Sequence, residues 1–281
     1  MSKIIVGLYG SLLTQAGERI GNARCGKDTF ADEMIAANPQ WQKYAMGSPI
    51  KEVINGIFGW DERHAEGHLK EVPVTVELSK TWAAELAIVL NERFGNVALE
   101  ATPPMDPELL LSHFCEVFGM TLDQEAITIS PRQAYQWFGT EFGRSISDSI
   151  WVDLIPTYTP LLIVTDVRFP NEIEWFVKND CFMLGIDRTE DGEVATSVVP
   201  HISEQSLDRG LLTASVSNNG TLEEFQDKAA DFQDYLIRDL FGEEHTPMEG
   251  FHWNPDVQKG AAFNARLDSF ADAIQGGVNE Y

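Results

Sequence analysis

Short apolar runs alternate with longer amphipathic segments along most of the chain. Runs that are β-branched or continuously apolar predict β-strands at 3–9, 44–46, 161–165, 181–186 and 214–217. Apolar residues that recur at helical spacing predict helices at 28–37, 49–59, 130–138, 148–154, 172–177 and 222–240. Because strands and helices alternate, the sequence predicts an α/β fold, a doubly wound parallel sheet with helices on both faces.

Two regions depart from this alternation. Residues 72–128 contain two helical patterns around a proline-rich break, which predict a helical insertion or cap. After residue 240 the strand signals are few, and 263–274 predicts one more helix. The predicted organisation is a core over 1–240 that carries the insertion, followed by a C-terminal helical extension over 241–281.

The stretch Gly21–Thr29 reads Gly-Asn-Ala-Arg-Cys-Gly-Lys-Asp-Thr. It fits the spacing G-x-x-x-x-G-K of a phosphate-binding loop, with Asp28 where the pattern has Ser or Thr. Two glycines let the backbone turn its N–H groups toward a phosphate, and Lys27 can reach the outer phosphates. The helix that follows would present its positive N-terminal end to the same anion. These features predict a loop for nucleotide phosphates.

The lead-in to this loop is unusually long. Phosphate loops normally follow their strand directly, whereas here the first strand is predicted to end at Gly10 and the loop pattern begins at Gly21. Either Gly10 acts as the first glycine and 11–21 is an insertion, or the loop begins at Gly21 after a long connection. The sequence leaves both interpretations open.

Polar residues follow three further predicted strands, as Asp166 with Arg168, Asp187 with Arg188, and Asn218-Asn219-Gly220. A parallel sheet gathers such groups at the carboxyl ends of its strands. Phosphoryl transfer needs a backbone cradle, a divalent metal and positive charge around the moving group. Asp166 is placed to bind or orient Mg²⁺ or its waters, although a helix cap is the alternative role. When a phosphate loop is present in the same chain, a functional role for the Asp-x-Arg pair is favoured over a structural one.

Two arginines, Arg132 and Arg144, lie on or beside one predicted helix that Ser130 caps and Pro131 begins. Guanidinium groups bind phosphates in a bidentate manner, so both are candidates for an acceptor monophosphate. A surface salt bridge is the alternative, because acidic partners are abundant. Tyr135, Trp137 and Phe138 on the same helix are predicted to pack in the core.

The formal net charge of −24 comes from 20 basic and 44 acidic side chains. It argues against a broad basic surface for polymeric nucleic acid. A soluble, self-repelling surface accounts for most of this charge. If the protein binds an anionic substrate, its few arginines must gather in one pocket.

Composition and cysteine use suggest the compartment. Hydrophobic residues make up 43% of the chain, which suits a globular core, and no run approaches the roughly 20 apolar residues of a membrane span. The N-terminal residues predict no signal peptide. Three scattered cysteines, Cys25, Cys115 and Cys181, show neither metal-ligand spacing nor a disulfide framework. A reducing cytoplasm is therefore expected, with no membrane association.

A set of short motifs runs in a fixed order through the chain. Its members are Lys3–Tyr9, Gly26–Thr29, Gly47–Lys51, Lys70-Glu71, Ser130–Gln133, Gln136, Gly139–Glu141, Trp151-Val152, Asp166–Glu172, His201–Glu204 and Asn218–Leu222. Together they resemble the bacteriophage deoxynucleoside monophosphate kinases, over roughly 1–71 and 129–228. The Gly-Lys-Asp form of the loop is itself a feature of that family. The resemblance implies a P-loop kinase-type fold.

The resemblance also implies that the γ-phosphoryl of ATP moves, with Mg²⁺, to a deoxynucleoside 5′-monophosphate. ATP would be bound by Gly21, Cys25, Gly26, Lys27, Asp28, Thr29, Arg188, Asn218, Asn219 and Gly220. The acceptor would be bordered by Lys51, Arg132, Gln136, Thr140, Arg144 and Trp151. The reacting phosphates would meet Lys27, Asp166 and Arg168, with Asp28 and Asp166 holding the metal. The segment around His201, about 189–210, would form a mobile lid.

Two other functions remain open at this stage. Small-molecule kinases such as phosphomevalonate kinase share a Gly-Lys-Asp loop and an Asp-x-Arg strand end, so the acceptor could differ. An acidic protein could also keep a nucleotide-shaped fold without catalysis and use its insertions as an interface. The expected partners are ATP and a deoxynucleoside monophosphate in deoxynucleotide biosynthesis, within the host cytoplasm for a phage protein. The large insertion is compatible with a homodimer.

Overall fold

A computed structural model describes residues 3–13, 19–21, 25–65, 68–94, 106–189, 209–240 and 248–254. By their internal contacts the residues form two compact units, which are described separately. The first unit consists of 1–45 and 156–281, and the second of 46–155.

Strands and helices follow one another along the chain. The strands are β1 Ile4–Leu13, β2 Arg19–Gly21, β3 Gln42–Ala45, β4 Val74–Glu77, β5 Ala126–Ile129, β6 Leu161–Thr165, β7 Phe182–Thr189, β8 Ala214–Ser217 and β9 Phe251–Trp253. The α-helices are α1 Lys27–Ala37, α2 Ser48–Phe58, α3 Glu62–Ala65, α4 Trp82–Phe94, α5 Pro107–Phe118, α6 Pro131–Gln136, α7 Arg144–Ile146, α8 Pro170–Lys178 and α9 Leu222–Leu240. A π-helical segment, Trp137–Gly143, joins α6 to α7.

The first unit is an α/β structure built on a mostly parallel sheet, in the strand order β3-β6-β1-β7-β8-β9. Neighbouring strands from β3 to β8 pair in parallel, and β9 is antiparallel to β8 at the edge. The predicted α/β class and the mainly parallel sheet are confirmed. Three-residue β9 has too little apolar pattern to be recognised in the sequence.

Helices cover both faces of this sheet. Val6 and Leu8 share a buried cluster with Phe30 of α1 and Phe232 of α9. Side chains alternate along a strand, so Gly7 faces the opposite side, where its Cα approaches the ring of Phe176 in α8. A Cβ atom at Gly7 would lie 3.0 Å from that ring. The continuous apolar runs of β1 and β6 therefore arise because both faces are buried.

Strand β1 is longer than the sequence indicates. It continues past Gly10 to Leu13 and then pairs with β2, with Ser11 opposite Gly21 and Leu13 opposite Arg19. The long lead-in is therefore a β-hairpin, which brings Gly21 back beside Ser11. Its pairing is local, but no alternating apolar pattern in the sequence announces it.

The second unit is mainly helical. Strands β4 and β5 pair in antiparallel fashion, from Val74 opposite Ile129 to Glu77 opposite Ala126. The two helical patterns predicted within 72–128 are α4 and α5, which pack against each other between these strands. Stacked phenylalanine rings form the interior of the unit, with centroids 5.0 Å apart for Phe138 and Phe142.

Two local expectations have different outcomes. The helix expected around Asp148–Leu154 is wrong, because these residues form successive turns, with hydrogen bonds from Ile150 N to Ser147 O and from Asp153 N to Ser149 O. The helix expected at 263–274 lies outside the described residues.

Within the described part of the chain, the helices are too short or too polar to cross a bilayer.

Candidate functional site

Four neighbouring strands end at one edge of the sheet. Because β6, β1, β7 and β8 run in parallel, their carboxyl ends meet there. The residues that follow them, or lie at their ends, are the phosphate-loop residues, Asp166 with Arg168, Asp187 with Arg188, and Asn218 with Asn219. Residues that are far apart in sequence are thus carried by one edge, as a parallel sheet predicts.

The last part of the loop leads directly into α1. Gly26 precedes the helix with a φ of 99°, a left-handed conformation that favours glycine, and Lys27 is the first helical residue. Lys27 is buried rather than extended into solvent. The backbone N–H groups of this first turn have no partner within a helix, which makes the position suited to an anion.

Gly10 lies close to the end of the predicted phosphate loop. A Cβ atom on Gly10 would lie 1.9 Å from Sγ of Cys25 and 3.3 Å from Cδ of Lys27. Gly21, by contrast, is paired with Ser11 on the hairpin. Of the two interpretations of the lead-in, this geometry supports an insertion between Gly10 and the loop. Residues 22–24 lie outside the described residues.

Asn218, at the end of β8, is bonded to the loop. Its Nδ2 donates to the backbone carbonyl of Cys25 at 2.8 Å. The same amide closes in on Gly26, where a Cβ atom would lie 2.5 Å from Nδ2. Asn218 therefore holds this part of the loop in place.

Burial raises the pKa of the Cys25 thiol, although Lys27 opposes that shift, so the thiol stays protonated.

Asn219 and Gly220 continue from this anchor. Asn219 Oδ1 accepts a hydrogen bond from Thr189 N at 2.7 Å, which joins the ends of β7 and β8. Gly220 lies beside the carboxylate of Glu224, which accepts from Thr221 N at 2.9 Å while Thr221 Oγ1 accepts from Glu224 N. This reciprocal cap begins α9 at the predicted residue.

Asp166 follows β6 with a φ of 64°, a backbone region that non-glycine residues seldom occupy. One of its carboxylate oxygens lies 3.5 Å from Nη2 of Arg168, and both side chains are about one third exposed. Buried Glu172 accepts hydrogen bonds from Arg168 N at 2.7 Å and Phe169 N at 3.1 Å. The predicted Asp-x-Arg pair is thus held on a turn that Glu172 fixes.

Asp28 lies in the first turn of α1, with its side chain 76% exposed and 3.7 Å from Nζ of Lys43. Thr29, the next residue, is half-buried. No cluster of three metal-ligating side chains occurs among the described residues. Mg²⁺ usually takes one or two carboxylates together with substrate phosphates, and Asp28 and Asp166 each offer a partly or largely exposed carboxylate of that type.

An arginine that the sequence analysis missed lies at the same edge. Arg209 Nη2 donates to Asp187 Oδ2 at 2.6 Å, and Ser11 Oγ donates to Asp187 Oδ1 at 2.5 Å. The hydrogen bond to Asp187 raises the pKa of the Arg209 guanidinium. Arg188, the next residue along β7, points to the other face and is exposed. Arg209 begins a three-residue 3₁₀ helix, Arg209–Leu211, which is too short to show a periodicity in the sequence.

The predicted acceptor residues lie in the second unit. Arg132, Gln136, Thr140 and Arg144 recur every fourth residue along α6, the π-helical segment and α7, and all four are half-buried. Arg132 forms a salt bridge with Glu71, which is the alternative role that the sequence analysis gave to this arginine. Arg144 Nη1 donates a hydrogen bond to Asp148 O at 3.4 Å. Regular four-residue spacing places these side chains along one side of the helix.

Lys51 and Trp151 complete the predicted acceptor set. Lys51 is half-buried on α2, which packs against α6. Trp151 is buried, and its Nε1 donates to the carbonyl of Gly139 at 2.7 Å. Its ring also leaves no room for a side chain at Gly143. Trp151 therefore supports the π-helical segment.

The predicted lid, including His201, falls mainly within 190–208 and lies outside the described residues. No protein-family model matches the chain, and a search of curated proteins finds no match. The functional interpretation therefore depends on the residues themselves.

Proposed function

We propose that this protein is an ATP-dependent deoxynucleoside monophosphate kinase. It transfers the γ-phosphoryl group of ATP to a deoxynucleoside 5′-monophosphate, giving the diphosphate and ADP for deoxynucleotide biosynthesis. The ordered motifs of the sequence resemble those of the bacteriophage enzymes, and the P-loop kinase-type fold is part of the same proposal.

One observation carries the proposal. Gly10, Gly26 and buried Lys27 converge at the start of α1, where α1 follows the carboxyl end of a central parallel strand. A helix N-terminus preceded by a left-handed glycine and next to a lysine binds phosphate well, because N–H dipoles and a positive charge act on the same anion. The G-x-x-x-x-G-K sequence alone would be weaker support.

The roles of the other residues follow from charge and position. Lys27 binds the outer phosphates of ATP, and Arg168 neutralises charge that develops on the transferring group. Asp166 and Asp28 would hold Mg²⁺, which when bound shields phosphate charge. An acceptor monophosphate is already an anion, so the protein needs positioning and charge neutralisation more than a strong base.

The acceptor belongs to the half-buried row on the second unit. Arg132 and Arg144 supply guanidinium groups for a monophosphate, while Gln136 and Thr140 supply neutral hydrogen-bonding groups between them. A π-helical segment is rare, and such segments occur frequently at functional sites. This row therefore is the part of the second unit best equipped to bind a nucleotide.

The decisive experiment measures ADP release with ATP, Mg²⁺ and each of the four deoxynucleoside monophosphates separately. Lys27→Met should reduce transfer on the order of a hundredfold or more, because it removes a charged donor from the reacting phosphates. The matched control is Lys178→Met on α8, since Lys178 is 76% exposed and pairs with Glu174 at the surface. This control should keep wild-type turnover.

The outcomes separate the proposed function from its rivals. Turnover with a different phosphorylated acceptor, and none with the four monophosphates, would support the phosphomevalonate-kinase-like alternative. Nucleotide binding without any ADP release would favour a non-catalytic nucleotide-binding protein. Near-normal transfer by a folded Lys27→Met variant would rule out the proposed phosphate loop.

A further inference from the structure

Thr165 is the last residue of β6, directly before Asp166. Leu161 and Ile163 of the same strand lie in the buried cluster with Phe30 and Met34 of α1. Side chains alternate along a strand, so Thr165 faces the same side as α1, two residues closer to the carboxyl edge. The start of α1 lies at that edge, because the side chain of Lys27 approaches Gly10 there.

The hydroxyl of Thr165 is buried without a hydrogen-bond partner among the residues that the structure describes. The residue is only 1% exposed, so solvent does not satisfy the group either. A buried hydroxyl that lacks a partner destabilises the folded state, and native structures therefore keep few of them. Such a group at a candidate site indicates a partner that is bound from outside the chain.

The indole nitrogen of Trp41 also lacks a hydrogen-bond partner among the described residues, but Trp41 precedes β3 at the opposite edge of the sheet. Thr165 differs because it lies at the carboxyl edge, on the face that carries the first turn of α1. It also adjoins the strained residue Asp166, with its φ of 64°.

We propose that Thr165 is a nucleotide-binding residue whose hydroxyl donates a hydrogen bond to an oxygen at the phosphate site. That oxygen belongs either to an ATP phosphate or to a water molecule on its metal. Phosphate loops of the common pattern carry Ser or Thr after the lysine, whereas this loop has Asp28 there. The hydroxyl of Thr165, on strand β6 next to β1, takes the place of the Ser or Thr hydroxyl that this loop lacks. The inference rests on the proposed function, in that a nucleotide must bind.

Thr165→Val tests this proposal, because valine keeps the branched shape and removes only the hydroxyl. Without ligand, the melting temperature should equal or exceed that of the wild type by up to about 4 °C, since a buried hydroxyl without a partner is removed. By titration calorimetry, the Kd for ATP with Mg²⁺ should rise roughly ten- to hundredfold, as expected for a lost hydrogen bond to a charged group. Thr165→Ser should restore binding.

A matched contrast is Thr213→Val. Thr213 is also a buried threonine, but its Oγ1 accepts a hydrogen bond from Met183 N at 3.1 Å. This variant should melt at a lower temperature and bind ATP with the wild-type Kd. Repeating the Thr165→Val titration with EDTA identifies the acceptor: a loss that persists indicates a phosphate oxygen, and a loss that disappears indicates water on the metal.

Two results would overturn the inference. One is an unchanged Kd for Thr165→Val in a wild-type background that binds ATP. The other is a lower melting temperature without ligand, which would mean that the hydroxyl is already bonded within the protein. If the wild type itself binds no nucleotide, the proposed function fails together with the inference.

Discussion

Asp166 adopts a backbone conformation that strains a non-glycine residue. Its φ of 64° is shared, among described non-glycine residues, only by Asp180 with 52°. A left-handed conformation costs a non-glycine residue about 1–2 kcal/mol, and such strain clusters at functional sites. Asp180 lies in the turn before β7, at the opposite edge of the sheet, where a polar turn residue is ordinary. The two aspartates therefore form a natural pair for comparison.

Asp166→Gly should separate the two effects of this residue. Glycine adopts the left-handed conformation without strain, so the melting temperature should stay within about 2 °C of the wild type or rise. Transfer should fall by about a hundredfold or more, because the carboxylate beside Arg168 is lost. The measurements are a thermal melt and the ADP-release assay.

Asp180→Gly is the control for this variant. It should shift the melting temperature in the same direction and keep wild-type transfer. Full activity in Asp166→Gly would remove Asp166 from the site, and a melting temperature lowered by many degrees would show that the carboxylate is structural instead.

The elements that the sequence predicted best are those with local signals. Strands β6 and β8 and helix α9 have the predicted bounds, because continuous apolar runs and the Thr221 cap define their ends. The extension of β1 and the hairpin with β2 were missed because no alternating apolar pattern marks them, and β9 was missed because three residues are too few to show a pattern. The π-helical segment was also missed, since Gly139 and Gly143 are compatible with several helical geometries.

Candidate residues divide in the same way. Lys27, Asp166, Arg168 and Asn218 could be proposed from the sequence because motif spacing or a strand end marks each of them. Arg209 was missed because its role depends on Asp187, which is 22 residues away and reached only in the folded chain. Trp151 was assigned to the acceptor from a motif, and only its burial beside Gly139 reveals a supporting position.

The close approach of Gly10 in β1 to Cys25 makes a prediction about the segment that joins β1 to α1. In Gly10→Ala the new methyl group would overlap Sγ of Cys25 at 1.9 Å, so the loop must shift. Overpacking of this kind typically costs about 1–3 kcal/mol, and displaced N–H groups should weaken ATP binding on the order of tenfold. Calorimetry and a thermal melt measure both changes.

Gly56→Ala in α2 is the matched control, because nothing lies within 4 Å of its added methyl group. It should raise the melting temperature slightly, since alanine favours a helix more than glycine does. The double variant Gly10→Ala with Cys25→Ala should recover part of the lost affinity. Unimpaired ATP binding by Gly10→Ala alone would mean that Gly10 is not the first glycine of the loop.

At the scale of the whole molecule, the dominant property is the net charge of −24. Like charges repel across a folded surface, and this repulsion destabilises the compact state. Against that background, the cationic groups Lys27, Arg168 and Arg209 are carried by one edge of the sheet. Asp166 and Asp187 lie beside Arg168 and Arg209 and offset part of their charge, so this edge carries charged groups of both signs. Binding of a polyanionic small molecule there is part of the proposed function.

Salt should consequently stabilise the protein. Raising NaCl from about 0.05 to 0.5 M shortens the Debye length from above 10 Å to below 5 Å, which screens the repulsion between acidic groups. The melting temperature should rise by several degrees, and KCl should act equally, because the effect is one of ionic strength. A constant or falling melting temperature would show that attractive pairs outweigh the repulsion.

The antiparallel pairing of β4 with β5 has a consequence for the segment between them. Val74 and Ile129 are paired, so the segment 78–125 begins and ends at this one pair of strands. The length and composition of the segment can change while the distance between its two ends stays the same. This region can therefore change in length as a unit, while the contacts of Phe114 in α5 with Phe138 and Phe142 limit the substitutions that it tolerates.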